Sequence, residues 1–167
     1  MDKFPMDLRR WQTGLTLDKF VAGMKTHQAD MRRRLREVEL PPTERGDFAR
    51  IEATVHVLVM TEDWCGDSLM NVPILARIAR AAPGMELRLF VRSQSAELNA
   101  YYTARGITHI PVFTFLDSDF NEIGEWVERS QAAHAAVGEW TAAHPEVTTT
   151  RWRVIQALAY LEMEFGR

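Results

Sequence analysis

Apolar residues recur at two different spacings along this chain, and the change between them marks the predicted elements. From Thr16 onward they return every three or four positions, which predicts a helix that ends at Pro41-Pro42. Val55–Thr61 is apolar on both faces, as expected for a central strand covered by helices. Helical spacing resumes at Ser68 and ends at Pro83-Gly84.

The second half of the chain continues the alternation of strands and helices. Its predicted elements are a strand over 86–92, a helix over 96–104, strands over 110–117 and 122–127, and helices over 130–144 and 149–165. A strand-helix-strand start implies a parallel crossover, and a tight turn makes the last two strands antiparallel. The predicted fold class is therefore α/β, with a four-stranded mixed sheet flanked by helices on both faces.

Composition and charge narrow the possible functions. The chain has 167 residues, 46% of them hydrophobic, and a net charge of -3, which fits one domain with no general attraction to nucleic acid or anionic membranes. The arginines within 32–36 end a predicted helix, where we expect solvated charges. No apolar stretch has the length of a membrane span, and no signal-peptide pattern is found. We therefore expect a cytoplasmic protein that binds neither nucleic acid nor membrane.

One short motif stands where the central strand gives way to a helix. It reads Trp-Cys-Gly-Asp-Ser at positions 64–68; Pro73 lies in the helix that follows, Ile110-Pro111 opens a later strand and Gly124 lies in the last strand. This combination resembles the thioredoxin superfamily, especially a bacterial group whose motif is Glu-Asp-Trp-Cys-Gly-Asp-Cys. The resemblance covers about residues 55–144. It implies a thioredoxin-like fold in which the bond before Pro111 is cis.

The resemblance divides the chain into three parts. Residues 1–54 form an N-terminal helical extension, residues 55–144 the thioredoxin-like core, and residues 145–167 a C-terminal helix packed on the core or in a dimer. The terminal helices carry wide apolar faces over 17–38 and 154–165. We expect these faces to be buried, either on the core or in a homodimer.

Two positions depart from the thioredoxin pattern. Ser68 stands where the family has its second, resolving cysteine, and Val59 stands where thioredoxins bury an acidic residue. The only cysteine, Cys65, can attack a disulfide, but an outside thiol must then release it. The predicted function is monothiol thiol–disulfide exchange through Cys65, with Ser68 assisting, as a mixed-disulfide reductase, in deglutathionylation or in isomerase-type chemistry.

The charge state of Cys65 depends on opposing local effects. A helix N-terminus stabilises a thiolate, and the Ser68 hydroxyl, one turn further on, is placed to donate a hydrogen bond to the sulfur. Three nearby carboxylates, on Glu62, Asp63 and Asp67, oppose a negative charge there. We expect a solvent-accessible Cys65 with a moderately lowered pKa.

The other candidate residues are expected to surround the sulfur. The resemblance places the backbone of Ile110 beside it, free to pair with an extended substrate chain. The predicted substrate-positioning residues are Trp64, Gly66, Asp67, Ile110 and Pro111. His109 lies on the loop expected to face Cys65 and is a candidate modulator of the thiolate; an ordinary surface histidine is the alternative.

Two other functions stay open at this point. One is a redox-inactive binding module that holds a protein partner in the same groove. The other is a glutathione-dependent iron–sulfur cluster carrier, because monothiol glutaredoxins have a Cys-Gly-Phe-Ser motif of the same spacing, although Asp67 and Ile110 depart from their pattern. No metal or resident cofactor is predicted. The expected partners are protein or small-molecule disulfides, with glutathione or another small thiol as the candidate co-substrate.

Overall fold

The computed structural model describes residues 4–146, and a four-stranded sheet lies at its centre. The strands are β1 (Val55–Thr61), β2 (Met85–Val91), β3 (Val112–Leu116) and β4 (Glu122–Val127). Their order across the sheet is β2-β1-β3-β4, with β1 and β2 parallel and the other two pairs antiparallel. The predicted mixed sheet is confirmed.

Helices precede, connect and follow these strands. They are α1 (Leu8–Trp11), α2 (Leu17–Gly23), α3 (Gln28–Glu37), α4 (Pro42–Phe48), α5 (Gly66–Ala81), α6 (Ala96–Ala104) and α7 (Gln131–Ala143). A turn of 3-10 helix, Arg92–Gln94, joins β2 to α6. No helix within residues 4–146 is both long and apolar enough to cross a membrane. The helix predicted over 149–165 lies outside the described residues.

Strand β1 is covered on both faces, as its sequence predicted. Val57 and Val59 pack on one face with residues of α2, α3 and α5, whereas Leu58 and Met60 pack on the other with Trp11 and residues of α6. Alternate side chains of a strand point to opposite faces, so a strand with apolar residues on both faces needs two layers of helices. The carboxyl end of β1 therefore lies inside the molecule, between these two layers.

The continuous helix predicted over 17–38 is wrong, because the structure has two helices, α2 and α3, with a break between them. In the break, His27 has φ 57°. The Asp63 carboxylate accepts hydrogen bonds from the backbone N–H groups of Lys25 (2.7 Å) and Thr26 (3.1 Å). A carboxylate distant in sequence thus satisfies the freed backbone groups, which apolar spacing alone does not reveal.

The segments around this pair of helices hold two further short helices. Helix α4 lies in what the sequence predicted to be a connector over 43–54, and it begins at a proline, which suits the first turn of a helix. Helix α1 ends at Trp11, whose side chain is buried in the core. Neither helix is long enough for apolar periodicity to identify it.

The N-terminal helices pack directly on the core. Phe20 and Met31 are buried in the same cluster as β1 residues and α5 residues, so the apolar face predicted there is buried on this molecule. Just before α2, Leu15 and Leu89 of β2 each donate a backbone hydrogen bond of 2.8 Å to the other's carbonyl. The burial of the helix predicted over 154–165 lies outside the described residues.

An arginine of α3 supports the bend in α5. Pro73 has no N–H to donate to the carbonyl of Leu69, four residues earlier. Arg34 of α3 supplies the missing donor, with its Nε 3.1 Å from the Leu69 oxygen. The interpretation of the arginines as a solvated helix end is therefore wrong for Arg34. This bond attaches the N-terminal helices to the helix that begins at Cys65.

Candidate active site at the start of helix α5

Cys65 is the N-cap residue of α5, as its position between strand and helix predicted. Its backbone is extended, with φ -78° and ψ 118°, and its Sγ accepts a hydrogen bond from the backbone N–H of Ser68 at 3.4 Å. Serine and aspartate side chains make the equivalent bond at other helix starts. The sulfur therefore occupies the place where a helix favours negative charge.

The start of β3 forms the other side of the sulfur's surroundings. The peptide bond between Ile110 and Pro111 is cis, as the resemblance implied, and both residues are buried. The thiol of Cys65 donates a hydrogen bond to the carbonyl oxygen of Ile110, with 3.4 Å between sulfur and oxygen. The structure thus brings Cys65, Ile110 and Pro111 together across a long stretch of sequence.

Two buried hydroxyl groups lie behind the sulfur. Ser68 is 1% exposed and Thr61 is fully buried, and the Thr61 Oγ1 donates to the Ser68 Oγ at 2.8 Å. The Ser68 side chain acts on Cys65 in the direction that lowers the pKa of its thiol. The hydroxyl of Ser68 is thus hydrogen-bonded to Thr61, and the sulfur of Cys65 lies between the Ser68 backbone N–H and the carbonyl of Ile110. Val59, at the position of the family's buried acid, is an apolar core residue.

Only one of the three neighbouring carboxylates acts on Cys65. Glu62 accepts a hydrogen bond from the backbone N–H of Ser93 at 2.6 Å, and Asp63 holds the break between α2 and α3. Asp67, in the first turn of α5, repels a negative charge on the sulfur and so raises the pKa of Cys65. Glu62 and Asp63 thus have structural hydrogen bonds, and Asp67 is the carboxylate with a resolved effect on the thiol.

Asp67 itself belongs to a buried ion pair. Its Oδ2 lies 2.6 Å from an Nη atom of Arg129, and each side chain is 8% exposed. Arg129 also contacts the Glu128 carboxylate. The pKa of Asp67 is raised because burial disfavours its charge more than Arg129 stabilises it. This arginine just after β4 was not predicted, because nothing in its local sequence distinguishes it from a surface residue.

A groove of about 380 Å³ opens beside these groups. The residues that line it are Trp64, Cys65, Gly66, Asp67, Arg92, Thr108, His109, Ile110, Glu128 and Arg129. Trp64 is 52% exposed and forms an apolar part of the wall. His109 is exposed on the opposite loop and is not hydrogen-bonded to Cys65 in the described structure; its nearest polar contact is the hydroxyl of Thr108. The substrate-positioning role of these residues stays a prediction.

Comparison with known families shows which family this chain belongs to. A family described as thioredoxin matches residues 14–144. The chain belongs to the thioredoxin family. The match begins upstream of β1, so for this thioredoxin-family protein the family pattern includes α2 and α3, which the resemblance from sequence had left outside. A search of curated proteins finds no match.

Two solved structures resemble this thioredoxin-family protein over almost their whole length. A protein of unknown function from Pseudomonas aeruginosa is 25% identical, with a TM-score of 0.69, and the alignment covers 98% of this chain and 99% of that one. An HIV epitope-scaffold protein is 24% identical, with a TM-score of 0.68 and coverage of 94% and 98%. These similarities support the fold and leave the activity to the chemistry of the site.

The prediction of an accessible thiol with a lowered pKa is wrong. Cys65 is only 7% exposed, and burial raises the pKa of its thiol above the ordinary value. The hydrogen bonds from Ser68 act in the lowering direction but do not outweigh burial. The bond that the thiol donates to Ile110 also favours the protonated form. At neutral pH the resting state of this family member is a thiol.

Iodoacetamide labelling of the native protein should follow the thiolate fraction of Cys65. Because the pKa is raised, the rate is expected to rise about tenfold per pH unit from pH 6 to 8.5 without reaching a plateau. Because the sulfur is only slightly exposed, labelling of the native protein should be slower than labelling of an unfolded control in urea at every pH. A plateau below about pH 8 would show instead that the helix N-terminus lowers the pKa of the Cys65 thiol below its ordinary value.

Within residues 4–146, no three side chains of histidine, cysteine, aspartate or glutamate are grouped closely enough to hold a metal ion.

Thr61 is a site residue that the sequence reasoning missed. It is the hydroxyl residue that ends β1 shortly before the motif, and that position was the available signal.

Proposed function

We propose that this protein carries out thiol–disulfide exchange through Cys65 without a resolving cysteine. The observation that carries the proposal is the position of the Cys65 sulfur. It lies between the Ser68 N–H and the Ile110 carbonyl, at a groove that the exposed ring of Trp64 borders. Membership of the thioredoxin family supports a redox role. The proposed place of action is a reducing compartment such as the cytoplasm, where outside thiols are available.

The proposed reaction takes two exchange steps. The thiolate of Cys65 attacks one sulfur of a substrate disulfide, the substrate S–S bond breaks, and the other sulfur leaves as a thiolate that takes up a proton. A small thiol such as glutathione then attacks the mixed disulfide and releases Cys65. Over both steps the first disulfide is replaced by a disulfide of the small thiol and the substrate group, so atoms and electrons balance.

The Ser68 hydroxyl stabilises the sulfur anion during the first step. It is held beside the sulfur by its hydrogen bond to Thr61, so it is already in place when the negative charge develops. The thiol's bond to Ile110 must break before the attack, because the carbonyl accepts a hydrogen bond but cannot stabilise an anion. The raised pKa of Cys65 predicts slow exchange at neutral pH and faster exchange in mild alkali.

Incubation with glutathione disulfide at pH 8.5 tests the proposal. The intact mass should increase by one glutathionyl group, located at Cys65, and added glutathione should restore the starting mass. The Cys65→Ser variant is the control and should not change. Ser68→Ala should form the adduct about tenfold more slowly, the effect of one hydrogen bond to a charged group. A wild type that stays unmodified while its urea-unfolded form reacts would contradict the proposal.

One observation favours a second candidate, a redox-inactive binding groove. Cys65 is almost completely buried, and its resting thiol is already satisfied as a donor to Ile110. In that case Trp64 and the backbone around Ile110 would bind a protein segment without covalent capture. The glutathione experiment separates the two, because a binding groove gives no adduct. A purified protein with visible colour after anaerobic expression would favour the cluster carrier over both.

A further inference from the structure

The groove beside Cys65 contains an arginine that pairs with no carboxylate of residues 4–146. Arg92 follows β2 and lines the groove opposite the Asp67–Arg129 pair. Its Nε donates to Asn99 Oδ1 at 2.8 Å, and one Nη donates to the carbonyl of Thr108 at 2.9 Å. In residues 4–146 its polar partners are thus an amide and a carbonyl, with no acidic group within ion-pair distance. Its planar group is held in place and keeps its full charge.

The other charged side chains at the groove have polar partners of their own. Arg129 is paired with Asp67 and Glu128, so that corner carries no excess positive charge. Glu62, which precedes the motif, is buried and bonded to the backbone N–H of Ser93. The groove is therefore anionic at the Glu128 corner and cationic at the Arg92 side. A ligand whose acidic group faces Arg92 matches this polarity.

We infer that Arg92 selects disulfides that carry a carboxylate close to the reacting sulfur. This inference rests on the proposed function and names the substrate class for it. A groove of about 380 Å³ accommodates a small molecule or a few residues of a peptide, so the acidic group must lie near the disulfide. The guanidinium binds the carboxylate while the Cys65 thiolate attacks the neighbouring sulfur; the S–S bond breaks, and the leaving thiolate takes a proton from water.

Three small disulfides of similar size provide the test. Dithiodipropionate is anionic, hydroxyethyl disulfide is neutral and cystamine is cationic. The rate of mixed-disulfide formation at Cys65 is measured by intact mass at pH 8.5 and divided by the rate with free mercaptoethanol, which removes intrinsic differences between the disulfides. We expect the anionic compound to exceed the cationic one by about tenfold in the wild type, and the ratio to fall as salt is added.

Three variants test whether Arg92 causes the preference for the anionic disulfide. Arg92→Gln should abolish it, whereas Arg92→Lys, which keeps the charge and loses the planar fork, should retain most of it. Arg80→Gln removes the same charge from an exposed site on α5 and should behave like the wild type. If Arg92 merely supports the loop at Thr108, both Arg92 variants would slow all three disulfides equally, and the inference would be overturned.

The outcomes for the wild type separate the two proposals. Equal normalised rates for the three compounds would overturn the selection by Arg92 and leave thiol–disulfide exchange standing. An unchanged anionic preference in Arg92→Gln would do the same. A native protein that reacts with none of the three, while its unfolded form reacts with all, would overturn both proposals together.

Discussion

Ser68→Cys should form an internal disulfide with Cys65. The two positions lie in the first turn of α5, and the Ser68 backbone nitrogen is already 3.4 Å from the Cys65 sulfur. A spacing of three residues at a helix start brings the Cα atoms to about 5–6 Å, which is within disulfide range. The introduced thiol would be buried next to Thr61, where the serine hydroxyl lies now. Mild oxidation should therefore remove both free thiols without dimer formation.

Thiol titration and intact mass under mild oxidation measure this outcome. Ser130→Cys, which places a cysteine at the exposed N-cap of α7, is the matched control and should keep two free thiols. Ser68→Cys should also reduce a protein disulfide with a dithiol as electron source, at least tenfold faster than the wild type. Adding Val59→Asp should raise this rate further, at a cost in stability from a buried carboxyl group. Two persisting thiols in Ser68→Cys would refute a thioredoxin-type active-site geometry.

Arg129→Met should lower the free energy of unfolding at pH 7 by about 3 kcal/mol, the lower end of the range for a broken buried ion pair. The change leaves Asp67 more than nine-tenths buried without its arginine partner. It also removes the contact between Arg129 and Glu128. Urea unfolding followed by tryptophan fluorescence measures the effect. Arg50→Met, at an exposed pair with Asp47, is the control and should change stability little.

The stability deficit of Arg129→Met should depend on pH in one direction. Without the arginine, burial raises the pKa of Asp67 further above its unfolded value, so folding disfavours the ionised form. Stability is then lost as pH rises from the unfolded pKa, near 4, through the raised folded pKa, and the deficit should shrink below about pH 4, where the carboxyl becomes protonated in both states. Asp67→Asn combined with Arg129→Met should recover part of the loss at pH 7. A deficit that grows on acidification would contradict this assignment.

The sequence was sufficient to place Cys65 and Pro111 opposite each other. A buried strand followed by a helical pattern positions Cys65, whereas the resemblance to thioredoxins positions Pro111. The mixed sheet followed from connection lengths. The break between α2 and α3 could not be predicted in the same way, because the carboxylate of Asp63, far along the chain, makes it.

The charge state of Cys65 shows a different limit of sequence reasoning. The helix N-terminus and Ser68 were correctly identified as groups that lower its pKa. Burial acts in the other direction and is larger, and it depends on how the Ile110 loop closes over the sulfur. Arg129 escaped prediction for a similar reason, since its partner Asp67 is brought near only by the folded sheet. Groups that act through tertiary contact leave no periodic signal.

The paired backbone bonds between Leu15 and Leu89 join two segments that are synthesised at different times. Residues 4–54 leave the ribosome first, yet the surface on which Phe20 and Met31 are buried consists of β1, β2 and α5. During translation the surface that buries these helices is incomplete until Leu89 has emerged, so part of their apolar surface stays exposed until then. A slowed ribosome over residues 40–90 would lengthen that wait, and a nascent chain arrested there should be captured by chaperones far more than one arrested after β2.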